Sequence, residues 1–140
     1  MGIFVHISSS RMSMTSLETA RLAAKALCER KGLDIRLIEI GGISSIADYF
    51  VIATGSSNTH VKSLADNVEF RLDNEGVGVS HIEGHRSDSW ILMDYVDVVV
   101  HIFSEEARDY YDLERLWEDG TVQDISDIEE MPLEKLFPQK

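Results

Sequence analysis

The run Tyr49-Phe50-Val51-Ile52-Ala53 constrains the fold more than any other stretch of the chain. It is apolar without alternation, as a strand must be when both of its faces are buried. Such a strand needs a packed layer on each side, and the sequence supplies helices around it. Ser56, Ser57 and Asn58 follow Gly55 and offer N-cap side chains. Val61, Leu64, Ala65, Val68 and Leu72 then form a helical apolar stripe that ends at Asn74-Glu75-Gly76.

The flanking segments extend this pattern. Thr15-x-x-Glu18 resembles a capping box, in which hydroxyl and carboxylate satisfy orphan backbone donors reciprocally. Leu17, Ala20, Ala24 and Leu27 recur at helical spacing behind it, and Gly32 supplies the stop. Ile35 to Ile40 alternates apolar with charged residues, as a strand with one wet face does. Val77 to Ile82 reads as a short strand, and Ser89 to Met93 with Asp97 to Phe103 reads as a hairpin. A third helix starts after Ser104. The order predicts an α/β fold: a mixed sheet of about five strands with helices packed on it. Ile3 to Ile7 is a candidate short strand, and the segment from Gly120 reads as a mobile acidic extension with a weak amphipathic patch, Met131 to Phe137.

Charge limits the partners. The 140 residues carry a net charge of −12, and residues 104–140 alone hold 12 acids against 4 bases. Such a surface repels phosphate backbones and anionic lipid, so neither nucleic-acid nor membrane binding is expected, and a basic protein partner is favoured. The single cysteine, Cys28, excludes a disulfide framework within the chain and reads as a small packing residue. No apolar run reaches the roughly 20 residues that span a bilayer.

Several constellations invite chemistry. A strand entering Thr54-Gly55-Ser56-Ser57-Asn58 and a helix has the geometry of a phosphate site, but no Gly-Lys-Ser/Thr or Gly-x-Gly-x-x-Gly accompanies it. A nucleotidyltransferase would use Gly55 and Ser56 with Asp94 and Asp97 as a metal-binding pair. His81, Glu83 and His85 have strand spacing for a metal cluster, although Gly84 interrupts it and a solvated rim is the simpler reading. His60 reads as a capping or surface residue, and His101 as a hydrogen-bonded strand residue, because no nucleophile constellation accompanies it. Trp90, Tyr95, Phe103, Tyr110, Tyr111 and Trp117 cluster beside the acidic excess, as in a binding patch for a basic protein.

The segments Ala47 to Asn58, Val61 to Asp66, Glu83-Gly84, Trp90 to Tyr95, Asp97 to Phe103 and Arg108 to Trp117 resemble, in consistent order, the ribosomal silencing factor (Iojap-like) family. The resemblance implies a small α/β domain related in fold to nucleotidyltransferases but without established transferase activity, and no cofactor or metal. It implies binding to ribosomal protein number fourteen of the large subunit, which blocks subunit joining and represses translation under nutrient limitation. It also implies a homodimer in the free state. By position, Trp90, Ile91, Leu92, Asp94, Tyr95, Val99, His101 and Phe103 are the implied interface, with Trp90 as anchor. Asp94, Glu105 and Glu106 are expected to add salt-dependent attraction. Val96 stands where a glycine is usual, and a non-glycine residue resists positive φ, so the turn is expected to differ there. The resemblance divides the chain into an extension at 1–14, a domain at 15–119 and an acidic tail at 120–140. The lack of a basic, Arg- and Ser-rich leader favours a bacterial cytoplasm.

Overall fold

A computed structural model describes residues 14–42, 45–84, 89–111 and 120–128. The elements are α1 (Ser16–Glu29), β1 (Leu33–Glu39), β2 (Tyr49–Gly55), α2 (Asn58–Asn74), β3 (His81–Glu83), β4 (Trp90–Asp94), β5 (Val98–Ser104), α3 (Glu105–Tyr111) and β6 (Thr121–Val122). They form one mixed sheet in the order β3-β4-β5-β2-β1-β6. β2 and β5 are parallel, and the other neighbours are antiparallel. The α/β class and the helix-covered mixed sheet are as expected, with six described strands instead of about five.

The extra strand corrects the reading of the acidic segment. Thr121 and Val122 pair with Glu39 and Ile38 at the outer edge of β1. The chain then returns over α1, where Ile128 is buried in the core, Lys25 Nζ donates to its carbonyl at 3.4 Å, and Arg21 meets Asp127 at 3.4 Å. Residues 121–128 are therefore held against the domain, with Ile125 and Ile128 packed on the core that α1 buries from Thr19 to Leu27. Leu17, expected in its apolar stripe, is instead 37% exposed. The candidate strand Ile3 to Ile7 and the patch Met131 to Phe137 lie outside the described residues.

Local chemistry sets the helix ends. Thr15 Oγ1 accepts from Glu18 N and Glu18 Oε1 accepts from Thr15 N, so the capping box forms. α1 ends in a Schellman arrangement, with Lys31 N bonded to Cys28 O and Gly32 N to Leu27 O. The left-handed residue is Lys31 (φ 62°), one before the glycine that looked like the stop. Gly32 serves space instead, since a Cβ there would lie 3.1 Å from Leu27 O and 3.3 Å from a Leu64 methyl. α2 ends the same way: Gly76 N bonds to Asp73 O, Val77 N to Leu72 O, and Gly76 has φ 82°. This stop occupies the residues read as the start of a strand at Val77, so pairing begins only at His81.

Two helices share one face of the sheet. α1 and α2 pack on Leu37, Val51, Ala53, Ile91, Met93, Val98, Val100 and Ile102, the main core. They are tied to each other by Asn67 Nδ2 on Ala26 O (2.7 Å) and by Arg71 on both oxygens of Glu29 (2.8 and 2.5 Å). Burial would raise the Glu29 carboxyl, but the Arg71 and Asn67 hydrogen bonds outweigh it and hold it below the usual range.

The turn from β4 to β5 keeps a positive φ despite its side chain. Val96 has φ 75°, a strained state for a β-branched residue. Its N–H is held by Asp94 Oδ1 at 2.8 Å, and Tyr95 N closes the turn on Val98 O at 2.8 Å. Val96 thus adopts a positive φ that a glycine would take freely, and the strain is borne locally. Val96→Gly should relieve about 1–2 kcal/mol of left-handed strain, against less than about 1 kcal/mol from a freer unfolded chain. A small rise in the urea midpoint is the expected result.

Candidate functional site

The opposite face of the sheet carries the second apolar cluster: Ile38, Ile40, Ala47, Ile52, Val99, Phe103 and Ala107, with Phe50, Trp90 and Leu92 partly buried against it. Register fixes its layout. Trp90 lies opposite Phe103, Leu92 opposite His101 and Asp94 opposite Val99. Across β5, Phe50 lies opposite Val99 and Ile52 opposite His101. β3 extends the same rows outward, with Glu83 opposite Leu92 and His81 opposite Asp94.

An aromatic panel occupies the centre. Trp90 stacks on Phe103 with ring centroids 5.5 Å apart and on His101 at 5.9 Å, and Phe50 tilts against His101 at 4.7 Å. Glu83 on β3 and half-buried Asp94 on β4 share this face by register, and Glu105 and Glu106 are exposed in the first turn of α3, whose Ala107 packs on the cluster. An apolar centre with a charged rim is the anatomy of a protein-binding surface.

The period-two alternation of β4 divides the residues assigned to the interface. Trp90, Leu92, Asp94, Val99, His101 and Phe103 share this face by register, but Val99, His101 and Phe103 are buried and leave Trp90, Leu92 and Asp94 as the accessible ones. Ile91 (0% exposed) and Tyr95 (7% exposed) belong to the main core under α1 and α2, so they cannot touch a partner on the panel side. Phe50, His81 and Glu83 are on the face and were not expected there. Phe50 was hidden in the unbroken apolar run of β2, and the His81 and Glu83 positions are set only by pairing with β4.

His101 is buried among apolar rings, and burial pulls its imidazole down to about pKa 4. A histidine whose folded value lies below its unfolded value opposes folding as it charges. Stability should therefore be complete above pH 6.5 and decline as pH falls toward 4, by about 3 kcal/mol at most. Urea titrations at pH 7.5 and 4.5 should show this decline in the parent chain and a smaller one in His101→Phe.

The nucleotidyltransferase constellation is not assembled. Gly55 pairs with Ser104 at the end of β5, whereas Asp94 pairs with Val99 near its start. That places the glycine-serine corner and the Asp94–Asp97 turn at opposite ends of β5, roughly 15 Å apart along the strand. The corner is also closed on itself. Ser57 Oγ caps His60 N at 3.1 Å, His60 Nδ1 accepts from Ser56 N at 2.8 Å, and His60 Nε2 donates to Arg30 O at 2.8 Å. His60 is thus a bracket between the start of α2 and the end of α1. Among the described residues no group of three His, Cys, Asp or Glu is placed to hold a metal. His81 Nε2 meets Glu83 Oε2 at 2.9 Å, and His85 lies outside the described residues.

Arg108 gives α3 its position, a role no local pattern announces. Its guanidinium donates to Thr54 Oγ1 (2.6 Å), Asp34 O (3.0 Å) and Asp34 Oδ2 (3.1 Å), linking α3 to β2 and β1. Ala107 of the same helix packs on the second apolar cluster.

Comparison with known proteins gives consistent results. The sequence profile of the family described as "Ribosomal silencing factor during starvation" matches residues 13–139. The "Ribosomal silencing factor RsfS" of Bacillus subtilis is 37% identical over 112 residues, covering 80% of this chain and 95% of that protein. A crystal structure of a Chromobacterium violaceum protein superposes with a TM-score of 0.72 at 42% identity, covering 75% of this chain and 88% of that one. A more distant mouse protein, "Mitochondrial assembly of ribosomal large subunit protein 1", is 30% identical over 94 residues, covering 65% of this chain and 41% of the mouse protein.

Proposed function

The chain belongs to the ribosomal silencing factor family, and from that premise we propose that it represses translation by occupying the large ribosomal subunit. Its partner there is ribosomal protein number fourteen, and bound factor stands in the way of the small subunit. Phe50, Trp90 and Leu92, backed from beneath by the buried rings of His101 and Phe103, are the docking face. The observation that carries this reading is a sheet face with an aromatic centre that also carries Glu83 and Asp94, in a chain of net charge −12. Such a surface suits a basic ribosomal protein and avoids the RNA around it. The name of the mouse relative adds support for the large subunit as the site of action.

No turnover is needed. A factor that binds the free large subunit and not the joined ribosome shifts the equilibrium toward free subunits by its differential affinity alone. The chain therefore acts as a binding protein and not as an enzyme, in a bacterial cytoplasm; no described helix is long and apolar enough to cross a membrane. In the free state a second copy covers apolar surface. The binding module begins at residue 15 and takes in the start of the acidic segment, since Val122 pairs with β1 and Ile128 packs into the core.

Sedimentation of purified large and small subunits, with and without the chain, tests the reading. Added factor should reduce the joined-ribosome peak and travel with the large subunit. Unchanged joining at saturating factor would overturn it.

A further inference from the structure

Trp90 is the largest side chain of the docking face, and one of its atoms is polar. Its indole Nε1–H donates to His101 Nδ1 at 3.3 Å. An imidazole that accepts through Nδ1 carries its proton on Nε2. That Nε2–H is buried and has no hydrogen-bond partner among the described residues. A buried donor without an acceptor opposes folding, so a phenylalanine would suit the site better on packing grounds alone. The surroundings would accept one, because Phe50, Trp90 and Phe103 all lie within ring-stacking distance of His101. His101 is only 7% exposed, so it has little surface with which to touch a partner itself.

We propose that His101 is a positioning residue whose Nδ1 sets the rotation of the Trp90 indole, so that the docking face is preset before a partner arrives. The proposal rests on the docking reading above and assigns His101 a role different from that of its neighbours. Leu92 and Trp90 meet the partner, whereas His101 acts through Trp90. Holding a large side chain in its bound rotamer spares the complex the ordering cost of that side chain. The orphaned Nε2–H is the accompanying loss of stability, as happens when a local arrangement serves function over folding.

The test uses the full chain and two readouts. Hydrogen exchange of the indole N–H is followed by NMR, with the Trp90 signal identified by its absence in Trp90→Phe. Affinity is measured by titration onto purified large ribosomal subunits. In His101→Phe the Trp90 indole N–H should exchange faster, and binding should weaken about three- to tenfold, the loss expected on freeing one large side chain. His101→Asn, which keeps an acceptor near the Nδ1 position, should recover part of both. In a Trp90→Phe background, His101→Phe should change binding less than twofold, because the group it positions is gone. Undiminished binding by His101→Phe, or unchanged indole exchange, would overturn the proposal. If the parent chain itself does not bind large subunits, the docking reading falls and the proposed role falls with it. The exchange measurement still reports separately whether His101 holds the indole.

Discussion

Gly55→Ala should destabilise the chain by about 3 kcal/mol, at the upper end of the range for an overpacked core. A Cβ at this position would lie 2.7 Å from a Val61 methyl, 2.9 Å from Val61 N and 3.1 Å from Val61 Cα. Two of those three atoms are backbone, so no rotamer change relieves the clash, and α2 must move off the end of β2. For a domain of this size the melting temperature should fall by roughly 10 °C. The same substitution separates two meanings of this glycine. A glycine placed for close approach of a phosphate would leave folding almost unchanged when replaced. A glycine placed for helix packing shows its effect in a urea titration with no ligand present.

Trp90→Ala should weaken binding to the large ribosomal subunit by about 2 kcal/mol or more, roughly thirtyfold, as expected of a central aromatic anchor. The residue stacks on both Phe103 and His101 and lies partly buried against the apolar cluster. Circular dichroism and a melting curve on the same sample establish that the fold persists. Co-sedimentation of a folded Trp90→Ala chain at the parent's strength would remove Trp90 from the anchor role. Raising salt should weaken the parent and the variant by similar factors, because the carboxylates of Asp94, Glu105 and Glu106 remain in both.

Elements governed by short-range chemistry are legible in the sequence. The Thr15–Glu18 capping box, the apolar run of β2 and the Asn74-Glu75-Gly76 stop of α2 each act within a few residues. So does the hairpin of β4 and β5, whose register puts Trp90 beside Phe103. The division of β4 between two faces was within reach as well, since alternation alone separates Trp90, Leu92 and Asp94 from Ile91, Met93 and Tyr95. The interface implied by the resemblance runs against that alternation at Ile91 and Tyr95. Three features needed the tertiary structure. Lys31 takes the left-handed position, and Gly32 follows it where a Cβ would crowd Leu27 O and a Leu64 methyl. Thr121 and Val122 make too short a strand to leave a pattern, and their pairing depends on the open edge of β1. Arg108 reads as one more charge on a helix until Thr54 and Asp34 are brought beside it.

During its own synthesis the chain must wait for its centre. Tyr49 of β2 is matched in parallel with Val98 of β5, so β2 leaves the ribosome long before the strand that flanks it exists. Until then the growing chain holds β1 and β2 as an antiparallel pair, with one edge of its most apolar strand open. α2, made in that interval, can shelter a face of the pair but not the edge. Long-range parallel pairing of this kind is slow and leaves unpaired strand edges exposed to aggregation. A translational pause between Asn58 and Asp97 should therefore harm the yield of folded protein more than a pause of equal length after Ser104.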